Sequence, residues 1–596
     1  MKNDSQSTRT PVYVWVIALI MMLWMISVVT ISQWRMSATF DEQNHVTRGI
    51  SVLRTGDFRL CFHHPPLANV LEALPVAWLP GTHFDTSMPA WSWNNLSIWD
   101  ASKRTMWELS QDGANLMRLA RIPVLLFTII LALIVFLWSK ELFGHWGGLI
   151  SLGLLALDPN IIAHSGLATT DIPAACTILL AVYLLRNYFL QPTRLRLIYA
   201  GIGIGAALAT KFSALILVPI TGLFLLLMAF LPADRQQGFA FNWSTLPSAE
   251  RIKRAVGLFV ALGVISYLVI WAVYGFNVEP LGMKKGQPLA AHASLIKRIP
   301  IPGKQYFRGL ITVKHESKGH RAYLLGQTDT TGKGWWYYFP VAFATKTPLP
   351  EMIVLLGMLV LIAIPQIRQR LAFHRPDAYF LLLPVGIYVL AALGLLGISL
   401  NLGVRHILPI YPFLFILAGG WAALRVNPRI FMPSLVVLGV LQIVSLSLAF
   451  PDYLAYFNEL AGGTNDGYWI LVDSNYDWGQ DLGELAKLQK ANPHLANIPF
   501  SYFGSTPPEA YGVTYQPLAG FGVMRDVPNK PRLDNYTGLI AVSATNLVGG
   551  PGYSGVDYTP LLQEQPFARA GKTIFIYNLA PAPHAENASP AREIRH

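Results

Sequence analysis

Val12–Ser32, VYVWVIALIMMLWMISVVTIS, decides the fold. A helix over this uncharged stretch is long enough to cross the roughly 30 Å hydrocarbon core of a bilayer. Lys2 and Arg9 precede it, which predicts a cytoplasmic amino terminus. A cleavable signal peptide is the weaker reading, because the apolar stretch is long and no small-residue cleavage site ends it. Just beyond lies Phe40-Asp41-Glu42, two adjacent carboxylates where water and lipid meet.

The remainder repeats this opening. Apolar runs follow at Ile122–Trp138, Gly147–Ile162, Ile172–Leu185, Ile198–Ala209, Phe212–Leu231, Ala255–Tyr274, Met352–Ile364, Tyr379–Leu400, Ile407–Leu424 and Ile430–Phe450. The length rule gives about eleven transmembrane helices in all. Asp158-Pro159 and Thr210-Lys211 interrupt two runs, and such breaks survive at membrane depth only beside a cavity or inside protein. An odd number of crossings places the carboxy-terminal region on the external side.

The chain of 596 residues is 53% hydrophobic and 13% charged, with a mean hydropathy of +0.40. Soluble proteins carry roughly 25% charged residues, so the composition excludes a string of soluble domains and specifies a polytopic α-helical membrane protein. The net charge of +12 does not point to nucleic acid. Its basic residues gather in alternate connections: Arg186, Arg194 and Arg196; Arg251, Lys253 and Arg254; Arg368, Arg370 and Arg375; Arg425 and Arg429. That is the positive-inside bias, with Arg118 and Arg121 as exceptions. Cys61 and Cys176 are too few for a disulfide framework or a metal-binding cysteine site, and their pairing is left open, a free buried Cys176 being favoured.

Two domains are expected: a membrane-embedded domain over 1–450 with external loops 33–121 and 275–350, and a small external (periplasmic) α/β domain over 451–596. Trp91, Trp93 and Trp99 suit a loop lying on the interface. In the tail, Tyr468–Val472 and Thr573–Tyr577 read as strands, Asp481–Lys490 as a helix, and Pro581–His596 as a frayed terminus.

Ionisable residues near membrane depth are functional candidates by default. Asp41 and Glu42 therefore stand out, although an acid pair opening a helix in a solvated loop is the bland alternative. Asp171, in Thr169-Thr170-Asp171-Ile172-Pro173, is expected at the same face. It also fits a helix N-cap followed by a first-turn proline. Asp158 and His164 share that connection, and converging carboxylates there, Asp41 and Asp171 foremost, could hold a divalent cation. Lys211, Lys346, Arg405 and His406 supply cations on the same side. Arg405 is either a snorkelling interfacial cation or a phosphate clamp. His63 and His64, in His63-His64-Pro65-Pro66-Leu67, complete the candidate pocket.

Three motifs are set aside. Gly201-Ile202-Gly203-Ile204-Gly205 lies inside an apolar helix, so it is a packing face. His315-Glu316 with His320 misses the spacing of a zinc-protease helix. Trp335-Trp336-Tyr337-Tyr338 reads as an aromatic belt.

With these residues in view, the chain resembles the polyprenyl-phosphate-dependent glycosyltransferases of the GT-C superfamily. It is similar to the bacterial members grouped with protein O-mannosyltransferases (glycosyltransferase family 39) and the aminoarabinose transferase of lipid A. The carriers are Phe40-Asp41-Glu42, His64-Pro65-Pro66-Leu67, Thr170-Asp171, Ala207-Leu208-Ala209-Thr210-Lys211 and Gly403-Val404-Arg405-His406-Ile407-Leu408-Pro409. Tyr338-Phe339-Pro340, Lys346-Thr347-Pro348 and Asp473-Ser474-Asn475-Tyr476-Asp477-Trp478-Gly479-Gln480 add to them. The resemblance implies a helical bundle with a lipid-facing groove, Asp41 as the catalytic acid-base residue and Asp171 as the second acidic residue. The chain departs at His63-His64, where the aminoarabinose transferases carry an acidic-basic pair before proline.

The function expected is inverting transfer of a sugar from a polyprenyl-phosphate donor to a hydroxyl or phosphate acceptor on protein, lipid or glycan. No nucleotide, prosthetic group or nucleic acid is expected, and the setting is the inner (plasma) membrane. A lipid-linked sugar transporter or flippase is the rival class, though no inverted repeat is visible. The third reading makes the tail a binding module anchored by the membrane part.

Overall fold

The computed structural model describes residues 10–579 apart from 233–235, 237, 242, 284–293, 317–319, 371–374, 396–400, 425–427, 528–532 and 534–535. Lys2, Arg9, Arg425, the end of the 379–400 run and the 581–596 terminus lie outside the described residues. The protein is mostly helical. Among the described residues, six segments are long and apolar enough to cross a membrane: Val12–Arg35, Gly113–Leu157, Asp171–Leu190, Phe212–Phe230, Ser248–Val273 and Met432–Ala449. Leu349–Ala363, Asp377–Ala392 and Leu408–Ala423 are shorter apolar helices.

The helical stretch Ile122–Leu157 contains a reversal. Gly144 has φ 77° and ψ −172°, a left-handed conformation natural to glycine. The Ser139 and Ser151 hydroxyls meet at 2.8 Å, although twelve residues along one straight helix would separate them by about 18 Å. The chain therefore doubles back at Gly144 into antiparallel helices over 122–143 and 145–157. Beyond the turn, Gly147 and Gly148 lie where a Cβ would press on the Phe143 and Lys140 side chains, so small residues let the two helices approach.

Charges sort to the ends of the bundle. At one end Lys140 Nζ reaches Thr10 Oγ1 at 3.1 Å, and Arg186 pairs with Glu141 at 2.8 Å and with Asp377. Arg186 is therefore a buried, doubly paired cation and not a free loop charge. At the other end gather Asp41, Asp171, Lys211 and Arg405.

Between Arg35 and Ile122 the chain forms short helices, among them Glu42–Thr55 and Pro66–Ala73. Trp91 departs from the interfacial expectation. It is 6% exposed, packed edge-on against Phe84 and beneath the Arg59 guanidinium, because this loop is thick enough to hold its own core. Trp99 remains 42% exposed.

The tail carries a five-stranded mixed sheet ordered Ala568–Ala570, Ile574–Leu579, Gly538–Ser543, Ile498–Ser501 and Tyr515–Pro517. The helix Leu482–Ala491 flanks it, as expected. The expected strand at 468–472 is absent: Gly467–Trp469 is a short 3-10 turn, and Leu471 and Val472 are buried. Tyr468 packs edge-on against Phe575 and tilted against Tyr476, so this apolar run is a wedge between sheet and bundle. Trp478, Phe503, Val542 and Phe575 belong to the same continuous core as Leu131 and Phe415 of the bundle. Cys61 and Cys176 are both free and buried.

Candidate active site

The site is built where four chain segments meet. Asp41 stands at the N-cap of Glu42–Thr55, yet its carboxylate caps nothing. Instead Asp41 Oδ2 accepts from Arg405 Nη1 at 2.9 Å, and the Asp41 side chain is 24% exposed. The same Arg405 nitrogen lies 3.9 Å from Asp171 Oδ2. Asp171 Oδ1 accepts from Lys211 Nζ at 2.5 Å, and Asp171 Oδ2 accepts from Thr169 Oγ1 at 3.2 Å. The order Asp41, Arg405, Asp171, Lys211 is thus an unbroken alternation of charge, open at the Asp41 end and buried at Asp171.

Local sequence explains each position. Asp171 begins the helix Asp171–Leu190, where acid is favourable at the positive end of the helix dipole. Lys211 follows the end of Arg194–Leu208 in an extended conformation, which turns its side chain back across the helix ends. Arg405 lies in the 3-10 turn Val404–His406 after Gly403, whose φ of 110° suits glycine. The Leu67 amide donates to the Ala209 carbonyl at 3.1 Å, stitching the His-His-Pro-Pro-Leu motif to the segment leading into Lys211.

The tail completes the site. The Arg405 guanidinium sits 4.4 Å over the Trp478 ring, a desolvated cation–π contact that holds its plane. Asn475 Oδ1 accepts from the Val404 amide at 2.9 Å, and Ser474 Oγ donates to the Leu402 carbonyl at 2.6 Å. Phe40 packs against Trp99, Phe503 and Phe521, while its amide donates to the Trp478 carbonyl. The segment 473–480 therefore clamps both Arg405 and the Asp41 loop. A tail that merely rides on a membrane anchor does not fit these contacts.

Several expected site residues have other employment. Glu42 does not face the cluster. It is fully buried in a fork–fork pair with Arg121 at 2.7 Å and 2.7 Å, and also accepts from the Thr39 amide, the Thr39 hydroxyl and the Ala168 amide. Burial alone would raise its pKa; the Arg121 guanidinium overrides this and holds it below the ordinary value. Arg121, the exception to the charge rule, is spent on Glu42 and the carbonyls of Gln33, Met36 and Ser37. Lys346 is 1% exposed and donates to the Leu454 and Asn475 carbonyls, so it fastens the tail. Burial lowers its pKa to about 7.

The histidines divide. His64 meets His45 edge-on at 4.7 Å; burial pushes its pKa well below 6.5, with His45, Arg48 and Lys211 pushing the same way. His63 turns to Arg48, 3.5 Å away. His164 approaches Asp171 at 3.9 Å, and burial lowers its pKa to about 4. Burial, Lys211 and Arg405 likewise keep His406 well below 6.5, so at neutral pH it is a neutral imidazole with an unpartnered Nε2 and not the cation expected. A divalent cation also fits poorly between Asp41 and Asp171. Arg405 already occupies the space between the carboxylates, Lys211 holds the other Asp171 oxygen, and the described residues contain no group of three or more His, Cys, Asp or Glu side chains arranged for a metal.

An acidic–basic relay thus lies at one end of a bundle of apolar helices. Residues 112–235, which include Asp158, Asp171 and Lys211, match the family model described as dolichyl-phosphate-mannose-protein mannosyltransferase. No curated protein matches the chain. Among solved structures it is similar to ArnT from Cupriavidus metallidurans bound to undecaprenyl phosphate, at 14% identity and TM-score 0.47, covering 94% of this chain and 98% of that one. It is also similar to the S. cerevisiae protein O-mannosyltransferase Pmt1-Pmt2 complex bound to the sugar donor, at 18% identity and TM-score 0.32, covering 45% and 34%. The third is the Archaeoglobus fulgidus oligosaccharyltransferase AglB in complex with an inhibitory peptide and a dolichol-phosphate, at 12% identity and TM-score 0.42, covering 97% and 75%.

Proposed function

We propose that the protein is an inverting glycosyltransferase that takes a sugar from a polyprenyl-phosphate donor and passes it to an acceptor at the external face of the inner membrane. The single observation that carries this reading is the alternation of Asp41, Arg405, Asp171 and Lys211 at one end of apolar helices. The phosphate of such a donor is already a good leaving group, so the enzyme needs little acid catalysis. It needs a base for the acceptor proton and cations for the charge that develops on phosphate.

Asp41 is the accessible base. As the acceptor oxygen bonds to the anomeric carbon, its proton passes to the Asp41 carboxylate, and the electron pair of the breaking carbon–oxygen bond stays on the phosphate. Arg405 and Lys211 stabilise that charge by electrostatic preorganisation. Asp171 holds both cations in place, and neutral His64 and His406 offer hydrogen bonds in place of charge. A single displacement without a covalent intermediate inverts the anomeric centre. A flippase is not favoured, because the relay lies at one end of the bundle and not at its middle.

The test uses the full chain reconstituted in lipid with a panel of labelled polyprenyl-phosphate sugars, wild type beside Asp41→Asn. Label reaching an acceptor only in wild type, with inverted configuration, is the expected result. Intact donor crossing the bilayer in both proteins without transfer would establish the transporter instead.

A further inference from the structure

The relay leaves one close neighbour unused. His164 stands in the short helix Pro159–Ser165, whose start Asp158 caps by accepting from the Ile161 amide at 2.6 Å. It is 1% exposed, and its ring packs edge-on against Trp478, with centroids 6.3 Å apart, while Arg405 lies 4.4 Å over the same indole. His164 Nδ1 is 3.9 Å from Asp171 Oδ2 and has no hydrogen-bond partner among the described residues. Burial lowers the imidazole pKa to about 4, so the ring is neutral at pH 7. A neutral imidazole carries one N–H, and a ring nitrogen that faces a carboxylate is the one that keeps it.

A buried N–H that stops about 1 Å short of a carboxylate destabilises the resting protein. Its use lies in what happens to Asp171 during turnover. A carboxylate has room for about four hydrogen bonds. At rest Asp171 accepts from Lys211 at Oδ1 and from Thr169 at Oδ2, with Arg405 at 3.9 Å. A polyprenyl-phosphate sugar is a phosphodiester with one negative charge, whereas the polyprenyl phosphate left after transfer is a monoester with nearly two. As that charge develops, Lys211 and Arg405 are drawn from Asp171 toward the phosphate, and a buried carboxylate is left short of donors. A movement of about 1 Å brings the His164 N–H into hydrogen-bond distance of Oδ2.

We infer that His164 is a positioning residue that donates to Asp171 when Lys211 and Arg405 turn to the developing phosphate charge. It thereby holds the centre of the relay in place through the transition state and in the product complex. This rests on the transferase reading above and adds a residue to its machinery. His164 touches neither sugar nor phosphate and acts through Asp171.

The experiment uses the full chain in lipid vesicles, with labelled polyprenyl-phosphate sugars for turnover and polyprenyl phosphate itself as the binding probe. His164→Phe keeps a ring against Trp478 and removes the donor, and His164→Leu removes both. His164→Asn keeps an amide N–H at the place of Nδ1. Because Nδ1 makes no bond at rest, the ligand-free thermal midpoint of His164→Phe is expected at or above that of wild type. Its kcat and its affinity for polyprenyl phosphate are expected to fall together, roughly 10-fold, with donor KM unchanged. His164→Asn is expected to restore most of both. Wild-type kcat and polyprenyl-phosphate affinity in His164→Phe and His164→Leu overturn the inference. So does a lower ligand-free midpoint in both, which marks a packing role, or a loss of kcat that His164→Asn does not recover. A wild type that binds no polyprenyl phosphate and turns over no donor defeats the transferase reading itself, and this inference with it.

Discussion

Asp41 and Glu42 are neighbours in the chain and opposites in the fold. Glu42 is 0% exposed, and its oxygens are met by Arg121, the Thr39 amide and hydroxyl, and the Ala168 amide. The Asp41 side chain is 24% exposed, and its carboxylate accepts one hydrogen bond among the described residues, from Arg405. A carboxylate whose acceptor capacity is filled by fixed donors holds structure together; one with capacity left over can take a proton. The difference arises from position at the start of one helix. The N-cap residue points out of the first turn, while the next residue turns inward against the chain leaving the first membrane helix and the loop before Asp171.

The largest expected effect separates these two roles. Asp41→Asn keeps the shape and removes the base, so transfer is expected to fall by about 10²- to 10⁴-fold. The thermal midpoint in detergent is expected to stay within a degree or two of wild type. A variant that retains transfer would assign the base elsewhere.

Glu42→Gln is expected to do the reverse. It leaves the Arg121 guanidinium buried and uncompensated, which costs about 3–5 kcal/mol when one partner of such a pair is removed. Folded yield and thermal midpoint are expected to drop sharply, and whatever protein survives is expected to turn over with near wild-type kcat. A stable but inactive Glu42→Gln protein would erase the contrast and return Glu42 to the catalytic group.

Arg405→Lys sharpens the comparison on the cation side. The charge remains, but the guanidinium Nη1 set between Asp41 and Asp171 and the face packed on Trp478 are lost. A desolvated cation–π contact is worth about 2 kcal/mol, or roughly 30-fold. That loss is expected in kcat/KM for the donor, with stability little changed. An equal loss from Trp478→Leu in the arginine background would tie the effect to the stacked face.

The relay was legible in the sequence because Asp41, Asp171, Lys211 and Arg405 each stand at the end of an apolar run, where an ionisable group is conspicuous. The reversal at Gly144 was legible as two short runs with a gap. What could not be read was partnership. Arg121 looked like a topological exception because its acid lies in a loop far away in sequence, and a bidentate pair has no local signature. His406 was taken for a cation from its residue type, whereas two neighbouring cations and burial keep it neutral. The wedge at 468–472 has strand composition because a buried aromatic run looks the same whether it pairs or packs. Trp478 sat in a motif that follows the run read as a strand, and only the fold brings it to Arg405.

Lys346 carries the most direct test of saturation as a criterion. Like Glu42 it is buried, here with Nζ donating to the Leu454 and Asn475 carbonyls, but burial outweighs the pull of the Asp158 carboxylate and lowers its pKa from 10.5 to about 7. Below pH 7 both folded and unfolded chains hold the proton, and the cost of the buried charge is fully present. Between pH 7 and about 10 the unfolded chain still binds the proton while the folded chain does not, so stability rises with pH. The slope is at most about 1.4 kcal/mol per pH unit, and near its foot about 1 kcal/mol accrues between pH 7 and 8. Thermal unfolding of wild type and Lys346→Gln across pH 6–10 reads this directly. The wild-type midpoint is expected to climb relative to the variant above pH 7 and to run parallel with it below. Parallel curves throughout would mean that the two carbonyls suffice to keep Lys346 charged, and that a cation here can be saturated by backbone alone.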